Sequence, residues 1–538
     1  MLRRILGFLF MIFAVFAFFQ CARRGSPTGG PKDITPPVLL KAEPENLTVN
    51  FKAEKIRLYF DEYIKLEKIQ EQLIVSPPLK YIPEITPQGT ARKYIEITLK
   101  DTLKENTTYT FNFGQSIVDN NEGNPYNYLT YVFSTGDYID SLSLTGVVRD
   151  AFNKKADEFI SVMLYEIDTA YTDSTIYQQP PNYITNTLDS TIIFNLNNLK
   201  AGKYALVAIK DEGKNNMFDQ KADKIGFVED TITLPTDSTY LLTLFREKPD
   251  YNISVPSFVA ENRIQFGYQG NREDFVIETL TQLPDTVKTI FLKDREKDTL
   301  NYWFTPFKMD SLLFAITNDK LKLIDTFSIK PRKLPADTLL ISSGQKGKLS
   351  FEEKYTIIAS TPLVKIDTSL MALTVQDSLP GSFSAFLDTI ENKVDFDFNV
   401  EPNQKYKLEL FPGAVEDFFE DINDTIVFNL STGSLEDYGN LRLNLAGNTQ
   451  FPLIVQLTDD EGEKTIREIY MTEPKILEFN NLDPAKYMVR VIYDENSNEM
   501  WDTGNYLKKI QPEKVSYYPD IIEMRANWIE EHTFTLRE

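Results

Sequence analysis

One cysteine, Cys21, and one histidine, His532, stand in a chain of 538 residues. No disulfide can form within the chain, and any metal site or catalytic triad that needs two histidines is excluded. His532 lies close to the C-terminus between Glu531 and Thr533 and reads as a surface residue. The chain has no Gly-rich phosphate cradle, no nucleotide fingerprint and no redox cysteine pair. Cations are the minority, 57 Lys and Arg against 79 Asp and Glu, and the net charge of −22 repels phosphate backbones, so nucleic acid is a poor partner. Carboxylate pairs alone could run a glycosidase, but so many acids make chance pairs inevitable and none stands out. The expectation is a protein that is not an enzyme.

Long apolar runs are also missing, with one exception. Residues 5–19, ILGFLFMIFAVFAFF, follow Arg3 and Arg4 and end just before Gln20 and Cys21. The run is shorter than the roughly 20 residues a membrane-spanning helix needs and reads as the apolar part of a signal peptide, residues 1–20. Residues 21–33 hold Gly25, Pro27, Gly29, Gly30 and Pro31, too much Gly and Pro to pack, and read as a flexible tether.

Apolar spacing of 3.6 residues is absent as well; alternation of period 2 takes its place. Ile56, Leu58 and Phe60 alternate with Arg57 and Tyr59, and Ile95, Ile97 and Leu99 alternate with Glu96 and Thr98. With 27 Tyr and 37 Phe, this is the pattern of half-buried strands facing large cores. The expected fold is all-β, a tandem of β-sandwich domains.

The chain also matches itself. Residues 198–219, NLKAGKYALVAIKDEGKNNMFD, align without a gap with 481–502, NLDPAKYMVRVIYDENSNEMWD, placing Tyr204 on Tyr487, Asp211 on Asp494 and Asp219 on Asp502. Residues 104–136 align more weakly with 401–433, placing Tyr109 on Tyr406. The order is unit A, unit B, a middle region, unit A, unit B, with expected bounds 34–137, 138–248, 249–345, 346–435 and 436–538. Each is near the usual size of a sandwich. Gly202 faces Ala485 in this match, so the two turns must differ if Gly202 needs positive φ.

Residues 34–137 resemble the bacterial Ig-like domain of the surface-layer-protein type, through Asp33-Ile34-Thr35-Pro36-Pro37, residues 56–62, residues 103–109 and the run from Ile117 through Asp119 to Asn124. Unit B resembles the prealbumin-like sandwiches related to the carboxypeptidase regulatory domain, through residues 145–150 and 199–204. Cys21 directly after the apolar run resembles the lipidated cysteine of bacterial lipoproteins, although Phe18-Phe19-Gln20 replaces the usual small residues; the alternative is a free cysteine in an ordinary secreted protein. The domain order and the CARRGSPTGGPKD start resemble Ig-like lipoproteins of Bacteroidetes-type bacteria. That resemblance implies an outer-membrane lipoprotein held by the lipid on Cys21. Arg23 and Arg24 stand where exported surface lipoproteins carry acids, so the expected side is the periplasm.

Tyr109 and Tyr406 read as core or corner residues, the ring buried and the hydroxyl meeting backbone; Tyr204, Tyr487, Asp119 and Asn124 read as structural too. Tyr126, Tyr128 and Tyr131, and the pair Tyr517-Tyr518, could form a sugar-stacking platform or belong to the cores. The two loops after the repeated strand, with Asp211, Asn215, Asp219 and Asp223 in one and Asp494, Asn496, Asn498 and Asp502 in the other, could supply oxygen ligands to Ca²⁺. The EF-hand pattern fails, because Glu499 replaces the turn glycine and Asn505 the last glutamate; the other reading is Asp and Asn accepting backbone N–H bonds to fix a turn. No other cofactor is implied. As to function, a structural or adaptor lipoprotein in an envelope protein assembly is expected, and a lipoprotein that binds glycan or peptidoglycan is the alternative.

Overall fold

The computed structural model describes residues 33–187, 192–295, 297–345, 347–376, 379–447 and 449–537. The signal segment, Cys21 and nearly all of the tether lie outside the described residues. No helix among those described is long and apolar enough to cross a membrane. The architecture is five β-sandwiches in tandem, each with its own apolar core, and alternation explains why: in the strand Lys55–Leu66 the side chains of Ile56, Leu58, Phe60 and Ile64 are buried while Lys55, Arg57 and Asp61 are exposed.

The two A units share a plan. In the first, the strands Leu39–Glu43, Lys55–Leu66, Arg92–Thr98 and Glu84–Thr86 form one sheet, with Ile117–Asp119 pairing the far end of the long strand; Ile74–Ser76, Thr108–Asn112 and Thr130–Ser134 form the other. In the second, the long strand is divided into Tyr355–Ala359 and Leu363–Ile366, and Val415–Asp417 pairs the latter. The strand Ile341–Ser343 pairs Tyr355–Ala359, and Leu339 and Ile341 pack on the fourth core. The expected boundary at residue 345 is therefore too late, because the fourth sandwich already includes Leu339. The middle region is also a two-sheet sandwich, Tyr302, Phe266 and Phe314 meeting at its centre.

The two B units match strand for strand. The first has a three-stranded sheet, Ile193–Leu199, Leu142–Asp150 and Thr239–Leu244, whose last strand runs parallel to its neighbour. The second repeats it with Leu477–Leu482, Gly439–Gly447 and Ile529–Leu536, the last again parallel. The facing sheets centre on Gly202–Lys210 and Lys486–Tyr493. Gly202 does not adopt positive φ; a Cβ there would stand 3.3 Å from the Tyr204 ring, and Ala485 carries that Cβ in the second copy. The two turns therefore agree, and the sequence difference is a small packing change.

Neighbouring sandwiches are bonded to one another. The Ile184 N–H donates to Ser76 Oγ at 3.1 Å, and Thr108 Oγ1 donates to Asp140 Oδ2 at 2.7 Å, between the first and second. Lys288 pairs with Glu420 at 2.8 Å between the third and fourth, and Arg467 pairs with Glu353 at 3.0 Å between the fifth and fourth. The second and fifth, far apart in sequence, also meet.

Candidate functional site

The repeated loops have one backbone design. Lys214 and Asn216 in the first copy, and Ser497 and Glu499 at the aligned places in the second, all have positive φ, between 51° and 63°. Such conformations need local support. Asp211 Oδ2 accepts the Asn216 N–H at 2.7 Å, and Asp494 accepts the N–H groups of Asn498 at 3.1 Å and Glu499 at 2.9 Å. Asn215 and Asn498 each accept the N–H two residues on; Asn496 accepts that of Asn498. Asp219 accepts from the Lys221 N–H, and Asp502 Oδ2 accepts from the side-chain amides of Asn496 and Asn498. Among the described residues no group of three or more His, Cys, Asp or Glu is placed to hold a metal ion.

A carboxylate closes each loop. Asp223 accepts the N–H groups of Glu212 at 2.9 Å and Asp219 at 2.8 Å. In the second copy Glu513 does this work, accepting from Glu495 at 2.8 Å and Asp502 at 2.9 Å. Burial raises both pKa values, and the backbone N–H bonds only partly oppose it. The gapless match hid Glu513: three residues separate Asp219 from Asp223, whereas ten separate Asp502 from Glu513.

Those extra residues form a hook that enters the first B unit. Tyr506, at its tip, is only 2% exposed and meets Phe227 edge-on at 5.3 Å between ring centroids. Its hydroxyl lies 3.2 Å from that of Tyr171, and its N–H donates to the buried carboxylate of Glu247 at 2.5 Å. Gly504 is forced here, because a Cβ would stand 2.7 Å from the Phe245 ring and 2.6 Å from the Ile510 carbonyl. Thr503 donates to the Arg246 carbonyl, Gln511 to that of Phe227, Lys508 pairs with Asp250 and Lys509 with Asp173. Beside the hook, Trp501 packs on Phe152 at 4.8 Å, and the buried guanidinium of Arg490 lies 4.2 Å from the centre of the same Phe152 ring. The position aligned with Arg490 in the first copy is Val207, which is buried under the hook in the cluster that also holds Tyr506.

The tyrosine corners are alike within each kind of unit. Tyr109 accepts the Lys104 N–H at 2.9 Å and Tyr406 the Glu401 N–H at 2.7 Å, both five residues upstream. Tyr204 donates to the Lys200 carbonyl at 3.1 Å and Tyr487 to the Asp483 carbonyl at 2.8 Å, both four residues upstream. Asp119 accepts four N–H groups, from Asn121 through Asn124; burial alone would raise its pKa, but these bonds prevail and hold it below the ordinary aspartate value. Asn124 ties this loop to the chain start by donating to the Asp33 carbonyl at 3.0 Å.

The aromatic groups considered as sugar platforms are dispersed. Tyr131 is buried with its hydroxyl on the Pro44 carbonyl, Tyr126 packs edge-on against Phe60, and of the three Tyr128 alone is exposed. Tyr518 packs on Phe534, its hydroxyl 3.0 Å from His532 Nδ1, while His532 Nε2 lies 3.0 Å from Glu530. His532 is therefore half-buried and hydrogen-bonded on both ring nitrogens, which corrects the expectation of a plain surface residue: the strand Ile529–Leu536 turns it toward Tyr518.

A cleft of about 1070 Å³ opens beside the hook, between the two B units. Arg149, Lys154 and Thr243 line it from the first unit, and Lys514, Thr533 and Arg537 from the second.

Residues 33–135 match the model of the bacterial Ig-like domain, so the first sandwich is of that kind and the chain carries a structural or binding module. No curated protein matches the chain. Among solved structures, the Bacillus anthracis TIE protein is 13% identical, with 95% of this chain and 76% of that one covered at a TM-score of 0.13. The S-layer protein rSbsC is 11% identical, with 88% and 67% covered at 0.14. A Bacteroides ovatus protein from a mixed-linkage glucan utilization locus, SGBP-B, solved with a mixed-linkage heptasaccharide, is 10% identical, with 72% and 94% covered at 0.18.

Proposed function

We propose that this chain is a non-catalytic lipoprotein of the outer membrane, anchored through Cys21 and facing the periplasm, which acts as a structural adaptor within an envelope protein assembly. The observation that carries the reading is the hook. Sandwiches needed only for reach could hang as independent beads, but burying Tyr506 and Gly504 in another domain fixes the second and fifth sandwiches against each other. An adaptor needs surfaces held at fixed spacing, because each rigid contact avoids an ordering cost when the partner binds. The position of Cys21 directly after the apolar run supports the anchor.

Cross-linking and co-purification of the tagged protein from gently solubilised outer membranes tests this. Envelope proteins should be recovered in fixed stoichiometry. Retention on polysaccharide or peptidoglycan without a protein partner, lost on replacing Tyr128, would instead favour the glycan-binding alternative. Labelling with radioactive fatty acid should be abolished by Cys21→Ser, and external protease on intact cells should leave the protein uncut.

A further inference from the structure

The cleft between the B units has a chemical character that the hook does not explain. Of its cations, Lys154 donates to the backbone carbonyls of Tyr518 and Pro519, Lys514 to that of Arg537, and Arg149 to Thr243 Oγ1. Among the described residues none of these, nor Arg537, has a carboxylate partner, although the chain is strongly acidic and ion pairs are common elsewhere in it. Arg149 itself is solvent-exposed at the cleft wall. Two acids of the cleft wall are already engaged: Asp150 by Lys224 at 2.6 Å, and Glu513 by the N–H groups of its own loop. Those remaining, Glu229, Asp230 and Asp520, are solvent-exposed.

The wall also includes backbone. Thr533, Phe534 and Thr535 line the cleft in succession, yet side chains of a strand alternate between faces and Phe534 is only 4% exposed, its ring in the core. What Phe534 presents is its strand edge. The strand Ile529–Leu536 pairs on one side alone, with Gly439–Gly447, and among the described residues no strand pairs its other edge. The strand Val515–Tyr517, also an outer strand of its sheet, lines the same cleft. An edge strand carries a row of N–H and C=O groups ready to pair with an added strand.

Resting on the adaptor reading, we propose that this cleft receives an extended, acidic segment of a partner protein, which adds as a strand to the edge Ile529–Leu536 while its carboxylates meet Arg149, Lys154, Lys514 and Arg537. Backbone pairing holds the segment, and the four cations select its charge.

The test is fluorescence anisotropy of the full-length protein in detergent micelles with a labelled peptide of about ten residues, the usual upper length of a strand, alternating glutamate and valine. Saturable binding is expected. It should weaken by about tenfold or more in the Arg149→Gln/Arg537→Gln double variant, the loss of about 1.4 kcal/mol or more that two charge-assisted bonds supply. It should weaken similarly when alternate peptide nitrogens are methylated, and Arg149→Lys/Arg537→Lys should restore part of it. Equal binding of a lysine–valine peptide, no effect of methylation, or binding of polygalacturonate in place of the peptide would each overturn the proposal. Co-purification separates it from the reading beneath: partners kept by wild type and double variant alike sink the cleft and leave the adaptor, whereas no partner with either sinks the adaptor.

Discussion

The two B units have the same strand order, the same parallel closing strand, the same tyrosine corner and the same loop conformation, yet only one is a clamp. The first closes its acidic loop on Asp223 after a short turn; the second delays closure until Glu513, and the added residues carry Gly504 and Tyr506 into its sibling. The comparison teaches where a repeat can change without loss of fold. Core positions and turn carboxylates stay, because each fixes backbone that the sheet needs. A loop closed by a long-reaching carboxylate tolerates insertion, since loop closure costs little extra per added residue, and so a turn became an interface.

Breaking that difference should have the largest effect. Tyr506→Ala removes a buried aromatic and leaves a cavity, at a cost of ~3–5 kcal/mol to the joint. Calorimetry should then show the second and fifth sandwiches melting apart where the wild type melts them together. Removing the shared part should cost less and cost it twice. Asp223→Ala and Glu513→Ala each strand two N–H groups, and Asp211→Ala and Asp494→Ala unsupport the positive-φ turn, each by about 1–3 kcal/mol within its own unit. Added Ca²⁺ or a chelator should leave the melting temperature unchanged in all of these; a calcium-dependent rise lost in the Asp211 and Asp494 variants would make the loops metal sites. Smaller again, Tyr204→Phe and Tyr487→Phe should cost about 1 kcal/mol each, the worth of one hydrogen bond, and nearly the same in both copies.

The mildest contrast is in pH dependence. Asp119, held below the ordinary aspartate value, gives stability that is present above the unfolded pKa and is lost as pH falls through its folded pKa. Asp223 and Glu513 are raised, so their contribution is full below the unfolded pKa and declines as pH rises through the folded pKa. Carbon-13 titration of the side-chain carboxyls should place Asp119 below, and Asp223 and Glu513 above, their unfolded counterparts; the reverse order would show that the loops are not bonded as described.

The sandwich tandem was legible because alternation and aligned tyrosines report on each strand's own face. The paired loops were legible as well, since Asp211 and Asp494 fix backbone locally and so recur at fixed spacing. The strand Ile341–Ser343 was not, because three alternating residues carry no sign of which neighbour they pair with, so the expected boundary at 345 falls too late. Glu513 was not, because the insertion moved it out of the gapless match. Tyr506 meets Glu247, and Trp501 meets Phe152, only through docking of whole domains, and no local pattern marks such contacts.

Spin labels on Lys155 and Glu461, one in each B unit and both exposed, in a chain with Cys21→Ser, test the joint most directly. Pulsed dipolar spectroscopy should give one narrow distance distribution in the parent, broadened by Tyr506→Ala and by shortening the loop between Asp502 and Glu513 to the length of the first copy. A parent distribution as broad as that of the shortened loop would contradict a fixed joint and, with it, the rigid adaptor.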